Sequence, residues 1–156
     1  MSVDFSRVTP VTNTACQDKA ETGDLLAMLN CAETYLKSFD WCPGVAERYL
    51  GYWLEGVIAV FLFELEAKIH DTDDLIWVVV GDVPSAYLVC DNASEPASAL
   101  AVYCEMMEDW ARAVLSISRL DEVFPVAAEP TPSHANMLLS RTKFIREELI
   151  PLIKKS

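Results

Sequence analysis

The chain has 156 residues, of which 52% are hydrophobic and 23% are charged. This length and apolar content suit one folded domain with its own core, and they exclude an intrinsically disordered chain. The net charge of −12 argues against direct binding to DNA or RNA, because both are polyanions.

Membrane and secretory features are also missing from the sequence. No apolar run approaches the roughly 20 residues needed to span a bilayer, and the N-terminal stretch lacks the basic start and apolar segment of a secretory signal. The five cysteines are odd in number, scattered and without a Cys-x-x-Cys pair, which is typical of reduced thiols. We therefore expect a single cytoplasmic domain over residues 1–156 that binds no membrane.

The first third of the chain is predicted to hold two helices after a lead-in. Residues 1–20 lack steady periodicity and are expected to form an extended or mobile lead-in. A helix is predicted to begin near Thr22 or Asp24, either of which suits an N-cap. Its inward face is marked by apolar residues at steps of three and four: Leu25, Leu29, Ala32, Leu36 and Phe39. Residues 45–53 (VAERYLGYW) are interpreted as a second, shorter helix, although Gly51 weakens it.

Residues 56–91 hold the sequence that favours strands. Glu64, Glu66 and Lys68 alternate with apolar residues, and this period of two favours a strand over a helix. The connections at 70–74 and 81–85 are short, so the strands they join are antiparallel neighbours. The prediction is a three-stranded antiparallel β-meander at about 57–69, 75–82 and 85–91. Apolar residues on both faces of 57–63 require cover on both sides, by helices or by a partner.

The remainder of the chain is predicted to contain two more helices. Ser94 suits an N-cap before a stripe formed by Leu100, Cys104, Met107, Ala111 and Val114. Thr131 suits the cap of a last helix that turns Leu138, Thr142, Ile145 and Leu149 inward and that Pro151 ends or kinks. The predicted fold class is α+β, with the meander packed against about four helices.

Charge is distributed unevenly along the chain. Between Lys68 and Arg112 there is no Lys or Arg but there are nine acids, whereas bases gather near the C-terminus. One region of the fold is therefore expected to carry a negative potential. The predicted partner-binding residues are Asp71, Asp73, Asp74, Asp82, Asp91, Glu105, Glu108 and Asp109. The alternative is that these acids only solvate the surface.

Catalytic and metal-binding patterns are weak. His70 with Asp71, Asp73 and Asp74 offers oxygen ligands for Ca²⁺ or Mg²⁺, but a solvated hairpin turn explains this stretch more simply, because the EF-hand spacing is missing. Cys42 and Cys90 lie in no recognisable nucleophile motif. The aromatic residues Tyr49, Tyr52, Trp53, Trp77 and Tyr87 suit either a pocket or the core. The sequence implies no cofactor, no metal site and no catalytic residue.

Several segments of this chain resemble a family of small bacterial proteins. The segments are GVIAVFLFELE, LIWVVVGDVPSAYLV (a VVGDxPxAYLV-like pattern), YCEMMEDWARAVL, VFPV and FIREEL, and together they cover about two-thirds of the chain. The resemblance implies a bacterial, single-domain protein and carries no activity.

Three hypotheses follow. The leading one is a non-enzymatic acidic module that binds a basic protein partner, most concretely a bacterial immunity-type protein that neutralises a toxin. The second is a structural homodimer or assembly subunit that pairs through the sheet. The third is a small-ligand-binding protein or enzyme with a pocket between sheet and helices, near Tyr52, Trp77, Asp82 or Tyr87.

Overall fold

A computed structural model describes residues 3–11, 19–67, 74–89, 93–117, 119–120, 123, 126 and 129–155, with the side chains of 19–24 and 155 excepted. In chain order the elements are a 3-10 turn at Phe5–Arg7, β1 (Thr9–Pro10), α1 (Lys19–Lys37), β2 (Val45–Leu54), β3 (Ile58–Leu65), β4 (Leu75–Gly81), β5 (Ala86–Val89), α2 (Pro96–Leu115) and α3 (Pro132–Phe144). A π-helical turn at Ile145–Leu149 and α4 (Ile150–Lys155) continue α3. We call the stretch from Pro132 to Lys155 the C-terminal helix.

The strands form one antiparallel sheet in the order β1-β2-β3-β4-β5. The predicted α+β class is confirmed, and the predicted meander corresponds to β3, β4 and β5. The predicted counts are wrong. In the described part of the chain the sheet has five strands, and three helices pack against it when the C-terminal helix is taken as one.

The extra full-length strand is β2, where a short helix was predicted for residues 45–53. Because β3 is buried along nearly its whole length, its backbone groups on the side away from β4 need hydrogen-bonding partners, and β2 provides them. The register between β2 and β3 shifts between Val45 and Glu47 and again between Leu50 and Tyr52. Such irregularities interrupt the alternation of side chains, which is why the period of two is hidden in this segment.

Gly51 allows the first turn of α2 to approach β2. A Cβ atom at this position would lie 3.0 Å from Cγ of Pro96 and 3.2 Å from the ring of Trp77. Trp77 is fully buried at this contact, and its indole N–H donates to the Ala93 carbonyl oxygen at 2.9 Å. A glycine that weakens a helix thus fits a strand that lies against a helix terminus.

The described part of the lead-in is ordered against the sheet. Val3, Val8 and Val11 are buried, and Thr9 and Pro10 pair with Leu50 and Tyr49 of β2. The N-terminal segment therefore provides the edge strand β1, and its proline blunts that edge because it cannot donate a hydrogen bond.

Helices cover both faces of the sheet. On one face, side chains such as Phe61, Phe63 and Val78 pack with the inward face of α1. Its predicted residues Leu25, Leu29, Ala32 and Leu36 are buried, whereas Phe39 is only half-buried. On the other face, β3 and β4 pack against α2 and the C-terminal helix, and every predicted inward residue of these two helices is buried. The chain's own helices thus cover the two-sided apolar run at 57–63.

Pro151 neither ends the C-terminal helix nor stops its packing. The proline has no N–H to donate, and its ring would crowd the carbonyl of a regular α-helical turn. A π turn directly precedes it, in which the Ile150 N–H donates to the Ile145 carbonyl oxygen. This wider turn accommodates the proline, and Ile153 beyond it is still buried.

Candidate functional site

The predicted acidic surface does not form one patch. Asp71, Asp73 and Asp91 lie outside the described residues. Asp74 immediately precedes β4 and Asp82 immediately follows it. The two acids are eight positions apart along extended chain, a distance of about 26 Å, so they lie at opposite ends of the sheet.

Asp82 is bound by an arginine of the C-terminal helix. Arg141 donates from Nε to the Asp82 carbonyl oxygen at 2.6 Å and from Nη2 to Oδ2 at 2.9 Å. The Asp82 side chain is nevertheless 72% exposed. Its charge is thus largely balanced within the molecule.

The predicted acids of α2 are also balanced by arginines. Arg146 donates to both carboxylate oxygens of Glu108 at 2.8 and 2.9 Å, and this contact lowers the pKa of Glu108. Arg112 lies 3.6 Å from an oxygen of Asp109. Glu105 is exposed on the same helix. The bases that follow the acid-only stretch in sequence therefore fold back onto it.

A different group of acids lies together at the end of the sheet where β3 leads toward β4. Glu47 and Glu64 are direct partners in the β2–β3 register, a position that brings side chains within about 5 Å of each other. Glu66 comes directly after the last residue of β3, and the Leu65 N–H donates to the Asp74 carbonyl oxygen at 2.7 Å. We call Glu47, Glu64, Glu66 and Asp74 the acidic end.

None of the described bases forms an ion pair with the acidic end, although the charge of Glu47 contributes to the raised pKa of Arg48. Arg48, the neighbour of Glu47, turns to the other face of the sheet and forms a two-pronged ion pair with Glu33 of α1. Burial raises the pKa of the nearby Tyr49, and the charges of Glu64 and Glu47 raise it further. The backbone also approaches Glu66 closely: Gly44 has φ +122°, and a Cβ there would lie 2.7 Å from a carboxylate oxygen of Glu66.

Of the four acids in this group, only Asp74 is among the partner-binding residues predicted from the sequence. Glu64 and Glu66 served only as evidence for a strand, and Glu47 was assigned to a helix. The pairing of Glu47 with Glu64 depends on the β2–β3 register, and a sequence does not specify that register when bulges interrupt the strand.

The shifted pKa values of the described thiol and carboxyl groups follow from burial and hydrogen bonding. Burial raises the pKa of the Cys104 thiol to about 12, which keeps it protonated. The carboxyl groups of Asp4, Glu33 and Glu108 have lowered pKa values because hydrogen bonds stabilise their charged forms. Among the described residues, no group of three or more His, Cys, Asp or Glu side chains is placed to hold a metal ion.

The aromatic residues Tyr52, Trp77 and Tyr87, proposed to line a pocket, lie in different surroundings. Trp77 belongs to the core, and Tyr52 lies beside a recess of about 180 Å³ near Gly51. Tyr87 packs with Tyr35, Phe39 and Trp41 on the α1 side of the sheet. Asp82 lines a separate cavity of about 330 Å³ between α3 and the turn after β4.

Comparison of the chain with protein-family models, curated proteins and solved structures found no significant match. Within the described residues, no helix combines the length and apolar character needed to cross a bilayer. The described surface thus carries three predicted acids that are balanced by arginines, Asp82, Glu108 and Asp109, and one acidic end that has no such ion pair.

Proposed function

We propose that the protein is a non-enzymatic binding module whose acidic end engages a basic protein partner. Its most concrete form is an immunity-type protein of a bacterial cytoplasm that neutralises a basic toxin. The observation that carries the proposal is the direct cross-strand pairing of Glu47 with Glu64, with no described base in ion-pair contact with either.

This pairing has an energetic consequence. Like charges that face each other across a sheet destabilise it by several tenths of a kcal/mol. A lysine or arginine of a partner placed between the two carboxylates converts this repulsion into attraction. Two facing acids without a described base in ion-pair contact thus favour a cationic ligand over a purely structural role.

The charge of the whole chain supports the same partner. An acidic protein steers a basic one by long-range attraction, so association is fast and weakens as salt screens the charges. A basic cleft, such as one that binds a nucleic acid backbone, matches an acidic surface of this kind. Asp82, Glu108 and Asp109 contribute less to recognition than the sequence predicted, because arginines of the same chain already bind them.

The test uses the protein encoded by the adjacent gene as the probe. Its association rate with the wild type is measured by stopped flow over a salt series and compared with that of E47Q/E64Q. We expect an association rate that falls with salt and a roughly tenfold lower rate for the double variant at low salt. The matched control is E55Q/E129Q, which removes the same charge from two exposed acids outside the acidic end and is expected to associate nearly as fast as the wild type.

Two results would overturn the proposal. One is the absence of binding to the neighbour's product and to a panel of basic nucleases at low salt. The other is binding that E47Q/E64Q and E55Q/E129Q weaken equally, because only net charge would then matter.

A further inference from the structure

The C-terminal helix exposes a line of large apolar side chains. Met137, Phe144 and Leu152 are 49%, 43% and 56% exposed, although the helix also has a well-buried face. Seven residues separate Met137 from Phe144, which is two helical turns. The wider π turn keeps Leu152 in register with them. The three side chains therefore share one side of the helix over about 22 Å.

Two charged residues lie along the same line. Glu148 is exposed and sits about one wide turn after Phe144. Arg141 lies just before Phe144 and borders the line, where it also holds Asp82. We call Met137, Arg141, Phe144, Glu148 and Leu152 the 137–152 stripe.

The order of residues in the stripe is self-complementary. Its midpoint falls between Phe144 and Ile145. Arg141 precedes that midpoint by as many residues as Glu148 follows it, and Met137 and Leu152 are likewise equidistant from it. A copy of the stripe laid antiparallel therefore sets apolar against apolar and cation against anion.

We propose that two copies of this chain associate through the 137–152 stripe as an antiparallel helix pair with two-fold symmetry. In this arrangement Phe144 meets Phe144 of the partner subunit near the axis, and Met137 meets Leu152 of the partner subunit. Arg141 faces Glu148 of the partner subunit, which extends the intramolecular contact with Asp82 into a three-residue network. An isologous contact of this kind closes on itself and gives a dimer rather than a filament.

The surface beside the stripe is shaped to receive the partner's side chains. A cavity of about 330 Å³ lies next to Met137, and one of about 310 Å³ lies next to Phe144. Asp82 and Arg141 line both cavities and separate them. Apolar hollows that flank a charged pair are typical of the centre of an interface, where methionine, aromatic residues and arginine are enriched.

The expected dimer is weak and depends on salt in a characteristic direction. One pair of helices about 22 Å long buries less area than a specific interface of standard size. Each copy also carries a net charge of −12, so the two repel at long range. Salt screens this repulsion and therefore strengthens self-association, whereas it weakens binding to a basic partner. This inference is independent of the acidic end, which lies elsewhere on the molecule.

The primary experiment is sedimentation equilibrium of the full chain from micromolar to millimolar concentration at two salt concentrations. We expect the weight-average mass to rise from 17.4 kDa toward twice that value, and to rise further at the higher salt. The variant F144E places two like charges at the symmetry axis and is expected to remain monomeric. A wild type that stays monomeric throughout overturns the proposal, as does an F144E variant that dimerises like the wild type.

Two charge-reversal variants at exposed positions test the register of the helix pair. E148K sets a lysine opposite Arg141 of the partner subunit and is expected to raise the dimer dissociation constant by about tenfold. E147K makes the same change one residue away, on the side of the helix that faces Arg112, and is expected to dimerise at least as well as the wild type. Equal effects of the two variants contradict the stripe. If V89K on β5 abolishes the dimer and the variants of the stripe do not, the contact lies at the sheet edge and the proposal is wrong.

Discussion

Two regions of this acidic protein differ in whether their carboxylates are paired with bases. Between α1 and β2, the Glu33 carboxylate accepts a hydrogen bond from Nη2 of Arg48 at 2.8 Å and forms an ion pair with Nζ of Lys37 at 2.7 Å. At the acidic end, on the other face of the same strands, Glu47 and Glu64 face each other without a described base between them. Acids of the first kind stabilise the contact between elements, whereas acids of the second kind repel each other and cost stability. The total charge of a chain does not distinguish them.

The Glu33 contact gives the largest expected effect on stability. The hydrogen bond from Arg48, followed by those from Lys37, lowers the pKa of Glu33 from 4.5 to about 2. E33Q is expected to lose about 2 kcal/mol of unfolding free energy at pH 7, because hydrogen bonds to charged groups stabilise by this order. Urea denaturation followed by circular dichroism measures the loss.

The same contact predicts how the free energy of unfolding depends on pH. A carboxyl group whose folded pKa lies below its unfolded pKa contributes stability above the unfolded value and loses it as pH falls through the folded value. The gap between wild type and E33Q is therefore expected to be full at pH 7 and to shrink between about pH 4.5 and pH 2. The exposed acid Asp40 gives the control D40N, expected within about 0.5 kcal/mol of the wild type. A gap that is independent of pH would show that Glu33 acts through packing rather than charge.

The ion pair between Arg146 and Glu108 is expected to have a smaller effect. The Glu108 side chain is only 13% exposed, so R146M leaves a largely buried carboxylate without its bidentate partner. We expect a loss of about 1.5 kcal/mol in the same denaturation assay. K143M removes an exposed cation from the same helix and is expected to change stability by less than about 0.5 kcal/mol. If the two variants are equally destabilised, the Arg146 contact is not specific.

The smallest expected effect on the free energy of unfolding is an increase, and it tests most directly whether the carboxylates of the acidic end lack partners. E47Q/E64Q removes a like-charge pair from adjacent strands and is expected to raise the unfolding free energy by about 0.5 kcal/mol. Differential scanning calorimetry at low salt resolves a change of this size, and added salt is expected to reduce it. A double variant less stable than the wild type would mean that the two carboxylates have partners and that the acidic end is structural.

Features that depend on local pattern were predictable. The stripe from Leu100 to Val114 and the inward residues of α1 from Leu25 to Leu36 are buried as their spacing predicts. Strands β3 and β4 fall within the predicted ranges, because an apolar run bounded by short polar turns leaves few alternatives. The need for cover on both faces of residues 57–63 also followed from composition.

Features that depend on contacts between distant residues were not predictable. β2 was mistaken for a helix because register shifts hide its alternation, and it forms because β3 needs a hydrogen-bonding neighbour. The acid-only stretch was expected to be one negative surface, but Arg141 and Arg146 lie 59 and 38 residues away from the acids they bind. Long arginine side chains reach across helices, so charge balance in space differs from charge balance along the chain.

The sequence alone determined the α+β class, the meander, the buried faces of the helices and the excess of acids, because each follows from composition or from the period of neighbouring residues. Only the tertiary structure decided which acids are balanced, which are left facing each other, and which side of the C-terminal helix stays uncovered. Those outcomes depend on strand register and helix docking, where a shift of one residue changes the face on which every side chain lies.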